Sequence, residues 1–175
     1  MPVIALRAAT IADVPMLELW DRDPAVISAT TDDPTADKAF GDHDWALELL
    51  SQTPVSYFLI AELDGRPIGA MQIIDPHAEP THYWGDIDEH LRAIDIWIGD
   101  PAQRGKGYGS KMMRLAHALC FEDPAVTAIV IDPLASNERA IVHYRRLGYT
   151  PVGRQRFGDD DCYVHRLERT TWQAR

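Results

Sequence analysis

The sequence predicts an α/β fold in which helices flank one mixed β-sheet. Strand-like and helix-like segments alternate in the order β, α, loop, β, β, loop, β, α, β, α, β. The pair Asp64-Gly65 separates two apolar runs, as in an antiparallel hairpin. A continuous β-branched run at 126–131 is typical of a strand covered on both faces, as in parallel sheets. Together these patterns favour a sheet with both strand directions.

Length and composition are those of one globular domain, which we expect to span residues 1–175. The chain is 46% hydrophobic and 25% charged, and it has no internal repeat, low-complexity tract or linker. Its net charge of −10 disfavours nucleic acid and anionic lipid as partners and favours a cationic, polyamine-like small molecule. Cys120 and Cys162 match no metal spacing, so we expect reduced thiols in a cytoplasmic protein. We expect neither a signal peptide nor a membrane span.

The first half of the chain predicts a strand, a helix and a hairpin. Thr10 and Asp13 have capping-box spacing, with Asp in place of the usual Glu, and begin a helix. A loop rich in Asp, Pro and Thr follows, with room for a short helix, and it is long enough to act as a lid. The predicted segments are strand 3–6, a helix from 11 to about 20, loop 21–44, helical turn 45–50, and strands 57–63 and 66–74.

The second half predicts alternating strands and helices after an irregular, polar segment. Gly148 follows an apolar helical pattern at the place where a C-cap belongs. The predicted segments are irregular 75–90, strand 91–98, helix 110–121, strand 126–131, helix 137–147, and strands near 152 and at 162–167.

A glycine-rich turn between a strand and a helix is the most informative segment. Glycines allow backbone N–H groups to form a concave anion site, and the helix N-terminus adds partial positive charge. The pattern is neither the Walker loop nor the dinucleotide fingerprint, and a turn without ligand is the alternative. The candidate pyrophosphate-binding residues are Gln103, Arg104, Gly105, Lys106, Gly107, Tyr108, Gly109 and Ser110.

A second motif lies on the helix predicted at 137–147. Asn137 stands at the helix start, where its side chain can cap the helix or reach a ligand amide. Tyr144 lies two helical turns later on the same face, and a core phenol is its alternative role.

These two motifs resemble the acetyl-CoA signature of the GNAT N-acetyltransferase superfamily. Within it, the chain is most similar to the aminoglycoside 6'-N-acetyltransferases, with the resemblance strongest over 91–152. The matching patterns are Arg104-x-x-Gly107-x-Gly109 and Asn137-x-x-Ala140-x-x-x-Tyr144-x-x-x-Gly148-Tyr149.

The resemblance implies a GNAT fold, with a central mixed sheet flanked by helices and a splayed pair of parallel strands, 91–98 and 126–131. The co-substrate would be acetyl-CoA, with no metal. Its pantetheine arm would lie between the strands and contact Asn137, and its diphosphate would rest on 104–109. The arm would pair with the backbone of Ile96, Trp97 and Ile98.

The resemblance also implies that Asp95 and Asp132 face the acceptor amine. Attack on a thioester requires a neutral amine, so a carboxylate must bind the ammonium and help remove a proton. Asp95 is the candidate for this role, and Tyr144 is the candidate donor to the departing thiolate. A solvent-facing strand residue is the alternative for Asp95, and a turn residue before Pro133 is the alternative for Asp132.

The polar segment 75–89 is acidic and contains no Lys or Arg. It would give a polycation repeated charge-assisted contacts, although a solvated acidic loop explains the composition equally well. Glu79 is an approximate match to an acid that holds the antibiotic in the drug-modifying relatives. Trp84 is a candidate for stacking on substrate, with a core anchor as the alternative.

Three functions follow from these patterns. The first is acetyl transfer to a primary amine of a polycation, foremost the 6'-amine of an aminoglycoside or else a polyamine, which would accompany antibiotic resistance. The second is acylation of a siderophore precursor or a peptide amine. The third is an acyl-CoA-binding module without turnover. Monomer and homodimer are both open.

Overall fold

The computed structural model describes residues 2–174, in which seven strands form one mixed sheet. The strand order across the sheet is β1-β2-β3-β4-β5-β7-β6. The strands are β1 Ile4–Ala8, β2 Ser56–Leu63, β3 Arg66–Ile74, β4 Leu91–Trp97, β5 Ala128–Ile131, β6 Thr150–Phe157 and β7 Asp160–Glu168. The mixed α/β fold predicted from the sequence is confirmed.

Helices flank the sheet on its two faces. They are α1 Val14–Asp21, α2 Pro24–Thr30, α3 Trp45–Leu50, α4 Tyr108–Cys120, α5 Glu138–Arg146 and α6 Arg169–Gln173. Short 3₁₀ turns at Ile11–Asp13 and Pro101–Gln103 precede α1 and α4. No helix within residues 2–174 has the length and apolar character that crossing a bilayer requires.

Local sequence signals explain several of these boundaries. Asp64 and Gly65 have φ angles of 51° and 78°, as a tight hairpin turn between β2 and β3 requires. The Asp13 carboxylate accepts a hydrogen bond from the Thr10 backbone N–H at 2.8 Å, as the capping-box spacing predicts. Gly148 has a φ of 101° directly beyond α5, which confirms the predicted C-cap.

Several predicted boundaries differ from the structure, among them that of β5, which begins at Ala128 and not at residue 126. Helix α4 begins at Tyr108, two residues earlier than predicted, because the left-handed Gly107 already turns the chain into the helix. The predicted loop 21–44 contains α2, which begins at Pro24 after an Asp23 N-cap. The C-terminal hairpin is longer than predicted, and α6 follows it.

Three apolar clusters pack against the sheet, and on one face two of them are separated at Asp95 of β4. The first cluster joins α4 to β3 and β5, and the second joins α1 and α3 to β2 and Trp97. The third packs Trp84 of the irregular segment against β5 and β7. Leu91 and Ala93 belong to the third cluster and Trp97 to the second, so the same face of β4 presents Asp95 between them.

Strands β4 and β5 are parallel neighbours that separate. Their pairing covers Leu91 with Ala128 through Ala93 with Val130. Strand β4 continues to Trp97, still paired with Ala70 of β3, while β5 ends at Ile131 beside β7. The backbone of β4 beyond Ala93 therefore lacks a strand partner on its β5 side. This is the splay expected from the sequence.

Candidate functional site

A cavity of about 870 Å³ opens on the sheet face where β4 and β5 separate. Its floor includes Asp95, Asp132 and Tyr144, and its walls come from segments 29–43 and 78–84. The volume lies in the range of pockets that bind small molecules. Seven of the residues singled out in the sequence thus line one space, namely Glu79, Trp84, Asp95, Ile96, Trp97, Asp132 and Tyr144.

Asp95 and Asp132 occupy matching positions on the two splayed strands. Asp95 lies two residues beyond Ala93, and Asp132 lies two residues beyond its partner Val130. Burial raises the pKa of Asp95 from 3.8 to about 6. Burial raises the pKa of Asp132 to about 8, and the negative charge of Asp95 adds to this effect. Two such carboxyls ionise together most readily when a cation lies between them.

The cavity wall is acidic. Lys38 is the only Lys or Arg among its lining residues within 2–174. The carboxyl groups that line the cavity, in its walls and floor together, belong to Asp33, Glu48, Glu79, Asp95, Asp132 and Asp160. This charge distribution attracts a polycation and repels anions.

Tyr144 lies on α5 beside the two carboxylates. Its ring packs edge-on against Tyr149, with centroids 5.8 Å apart. Burial raises the pKa of Tyr144 well above its ordinary value, and the charges of Asp95 and Asp132 raise it further. The phenol therefore stays protonated and is able to donate a hydrogen bond into the cavity.

The glycine-rich turn forms an open anion cradle ahead of α4. Gly105 and Gly107 have φ angles of 75° and 81°, and no side chain caps the first turn of α4. A Cβ atom at Gly107 would meet nothing within 4 Å, so the space in front of the helix N-terminus is open. Unsatisfied N–H groups at such a terminus bind phosphate.

Arg104 holds this turn in place. Its guanidinium donates to the carbonyl oxygens of Ile98 and Gly99, both at 2.9 Å, and lies 3.0 Å from Asp23. Arg104 and Lys106 were both candidate pyrophosphate-binding residues, but the charge of Arg104 is paired with Asp23 within the fold. Lys106 is exposed and lies 3.4 Å from the Gln103 amide oxygen.

Asn137 serves as the N-cap of α5. Its side-chain oxygen accepts a hydrogen bond from the Ala140 N–H at 3.1 Å. The side-chain oxygen is thus occupied, and the amide NH₂ is the part of Asn137 suited to a ligand.

Glu79 and Trp84 stabilise the irregular segment that forms one wall. The buried Glu79 carboxylate accepts hydrogen bonds from the backbone and hydroxyl of Thr81, at 2.8 and 2.6 Å. The Trp84 side chain is buried, and its ring packs against the Phe157 ring with centroids 5.2 Å apart. Both residues border the cavity, yet their contacts are those of residues that anchor the loop.

Two features of the site escaped the sequence analysis. The Tyr83 hydroxyl donates to Asp132 at 2.7 Å, although the two residues lie 49 positions apart. The Thr31 hydroxyl donates to Asp160 at 2.9 Å and ties the segment after α2 to the β6–β7 hairpin. Both contacts join residues that are far apart in the sequence, so no local sequence pattern predicts them. Among residues 2–174, no cluster of three His, Cys, Asp or Glu side chains is arranged to hold a metal ion.

The comparisons with known proteins agree with this geometry. The acetyltransferase (GNAT) domain family matches residues 10–157. The aminoglycoside N(6')-acetyltransferase type 1 of Klebsiella pneumoniae is 33% identical over 152 residues, which cover 86% of this chain and 75% of the relative. A kanamycin resistance protein of Rhizobium radiobacter is 40% identical over 76 residues, or 43% of this chain and 70% of that protein.

A solved structure extends the similarity to nearly the whole fold. The crystal structure of aminoglycoside acetyltransferase AAC(6')-Ib in complex with coenzyme A and kanamycin superposes with a TM-score of 0.83. The two chains are 29% identical, and the match covers 98% of each.

Proposed function

The chain belongs to the GNAT acetyltransferase family, and we propose that it transfers an acetyl group from acetyl-CoA to an aminoglycoside amine, foremost the 6'-amine. The observation that carries this proposal is the pair Asp95 and Asp132 on the floor of an acidic cavity. Carboxyl groups with raised pKa values are suited to bind ammonium groups and accept a proton.

The residues around the splay fit acetyl-CoA, which supplies an activated acetyl thioester. The open N-terminus of α4 and its left-handed glycines suit the diphosphate. The unpaired edge of β4, from Ile96 to Ile98, suits an extended amide arm, and we assign a further contact with this arm to the Asn137 amide NH₂. The Ile98 carbonyl already accepts from Arg104, so the arm would pair with the neighbouring groups of β4.

Proton transfer at the acceptor is assigned to Asp95. An alkylammonium has no lone pair, so Asp95 binds it and takes one proton, directly or through water. A carboxyl with a pKa of about 6 is ionised at neutral pH yet accepts a proton more readily than an exposed aspartate. The amine nitrogen then forms the C–N bond, and backbone N–H groups on the open edge of β4 are placed to stabilise the oxyanion.

The remaining steps use Asp132 and Tyr144. Asp132 fixes a second ammonium of the polycation, which orients the reactive amine at Asp95. The tetrahedral intermediate then collapses: the C–S bond breaks, and the departing CoA thiolate takes the proton of the Tyr144 hydroxyl. The raised pKa of Tyr144 ensures that this proton is present before the reaction. The nitrogen loses its second proton as the amide forms, and this proton restores the Tyr144 hydroxyl, directly or through water. The first proton, held by Asp95, returns to solvent, so each transfer from an ammonium to the thiolate releases one net proton.

Aminoglycosides are favoured over the other amines for two reasons. The curated relative of Klebsiella pneumoniae is named for this activity, and kanamycin is bound in the AAC(6')-Ib structure of matching fold. The cavity wall also carries carboxylates on several sides, as a rigid polycation with several amines requires. A role in antibiotic resistance follows if the enzyme is expressed under drug exposure.

Thiol release tests this proposal against its alternatives. Purified protein is mixed with acetyl-CoA and either kanamycin, tobramycin, spermidine or a lysine peptide, with an acceptor-free reaction as control. We expect rapid release with the aminoglycosides and little with the others. Faster release with spermidine or the peptide would replace the proposed acceptor. Tight acetyl-CoA binding with no release would identify a binding module instead.

We further propose that residues 1–175 act as one domain in the cytoplasm. All seven strands belong to one sheet, which supports a single domain. Cys120 and Cys162 are both buried free thiols, which supports a reducing compartment. Monomer and homodimer are both compatible with the cavity, which the described chain forms by itself.

A further inference from the structure

Tyr83 contacts the acceptor site from outside the sheet. Its hydroxyl donates a 2.7 Å hydrogen bond to Oδ2 of Asp132, whereas its ring is half exposed at the edge of the cavity. A hydrogen bond of this length to an ionised carboxylate is strong. It occupies one of the two carboxylate oxygens and leaves the other for a ligand.

The Tyr83 side chain is held from several directions. Its ring stacks on Phe157, with centroids 4.5 Å apart and planes 9° apart. Its backbone N–H donates to the buried Glu79 carboxylate. Trp84 packs edge-on against the same ring, with centroids 5.8 Å apart. A hydroxyl fixed in this way is preorganised before any ligand arrives.

We propose that Tyr83 is a positioning residue of the acceptor site, which orients Asp132 so that its free oxygen meets a substrate ammonium. This role deepens the proposed function and rests on it. Tyr83 does not touch the reacting atoms, so it acts through Asp132. The buried Glu79 contributes indirectly, because it fixes the backbone from which Tyr83 reaches the carboxylate.

The hydrogen bond also favours the ionised form of Asp132. Donation by the Tyr83 hydroxyl lowers the pKa of Asp132, in opposition to burial and to neighbouring negative charge. Loss of the hydroxyl therefore moves the ionisation of Asp132 to higher pH. The titratable groups that face Asp132 are Tyr83 on the loop, Asp95 on β4, Tyr144 on α5, and Asp160 and Cys162 on β7.

The test is Tyr83→Phe, which keeps the stack on Phe157 and removes only the hydroxyl. We expect the KM for kanamycin to rise about 5- to 10-fold, with a smaller change in kcat and none in the KM for acetyl-CoA. The acidic limb of kcat/KM for kanamycin should move to higher pH. Tyr163→Phe, the same change outside the cavity, should leave all of these values unaltered.

A double-mutant cycle separates positioning from loop stability. In the Asp132→Asn background, Tyr83→Phe should change the KM for kanamycin by less than about twofold, because the carboxylate on which it acts is gone. An equal rise in the KM for kanamycin in both backgrounds would overturn the proposal and make Tyr83 a structural residue. Tighter kanamycin binding by Tyr83→Phe would also overturn it, since Tyr83 would then compete with the substrate.

A titration without turnover distinguishes this proposal from the proposed function. Aspartate is labelled at its carboxyl carbon, and the Asp132 resonance is assigned by its absence from Asp132→Asn. We expect Tyr83→Phe to raise the midpoint of the Asp132 titration, whether or not kanamycin is acetylated. An unchanged midpoint would overturn the positioning role, even in an active enzyme.

Discussion

Asp95→Asn should make the protein more stable at neutral pH while removing most of its activity. Burial raises the pKa of Asp95 from 3.8 to about 6, so the folded protein binds this proton more tightly than the unfolded chain. Ionisation of Asp95 therefore opposes folding, and wild-type stability falls as pH rises from about 4 to 6. The full pKa difference corresponds to about 3 kcal/mol of unfolding free energy, which partial solvent access at Asp95 reduces to about 1–2 kcal/mol.

The assay is urea denaturation of wild type and Asp95→Asn at pH 4 and pH 7.5. We expect the free energy of unfolding of the variant, relative to that of the wild type, to be higher at pH 7.5 than at pH 4, because asparagine has no ionised form to bury. Turnover with kanamycin should fall by about 10²-fold or more, the usual effect of removing a positioned base. Asp86→Asn alters an exposed carboxylate outside the cavity and should show neither effect. A pH-independent stability difference, or near-normal turnover in Asp95→Asn, would refute the reasoning.

Three more predictions address the phenol, the turn and the carboxyl pair. Tyr144→Phe should slow the chemical step in single-turnover kinetics with little change in acetyl-CoA affinity; a large affinity loss would make Tyr144 a binding residue. Gly107→Ala should raise the KM for acetyl-CoA about 10-fold, since a left-handed residue with a Cβ strains the cradle. Gly65→Ala is the control, because Gly65 has a similar positive φ in the distant β2–β3 turn; it should lower stability and leave the KM for acetyl-CoA unchanged. Kanamycin binding at pH 6.5 should release protons as it ionises the carboxyl pair. Titration calorimetry measures this as a dependence of the binding enthalpy on the buffer, and its absence would contradict the raised pKa values.

Local patterns were sufficient to predict most of the fold. The Asp64-Gly65 turn, the Asn137 cap and the Gly148 terminus are each decided by a few neighbouring residues. The bounds of α2 were harder, because its helix signals lie in a segment rich in Asp, Pro and Thr. The strand order was not predictable from periodicity, since it depends on pairings between segments far apart in the chain.

The candidate site likewise contains residues that the sequence identified and contacts that only the tertiary structure revealed. Motif spacing pointed to Tyr144, the family resemblance implied Asp95 and Asp132, and the structure brings all three to one cavity. The internal ion pair of Arg104 with Asp23 was not predictable, because it joins a motif residue to the N-cap of a remote helix. The Tyr83 contact with Asp132 was missed for the same reason. Motifs and the family resemblance thus indicated which residues line the cavity, whereas the contacts that support them required tertiary structure.

The position of the acetyl group on kanamycin tests the central claim most directly. The reaction product is purified and its acetylated nitrogen is identified by two-dimensional NMR, beside an aminoglycoside that carries a hydroxyl at the 6' position. Binding of the reactive ammonium at Asp95 and of a second ammonium at Asp132 predicts one product, acetylated at the 6'-amine, and no comparable product from the 6'-hydroxyl compound. A mixture of acetylated amines, or unmodified kanamycin, would contradict the claim.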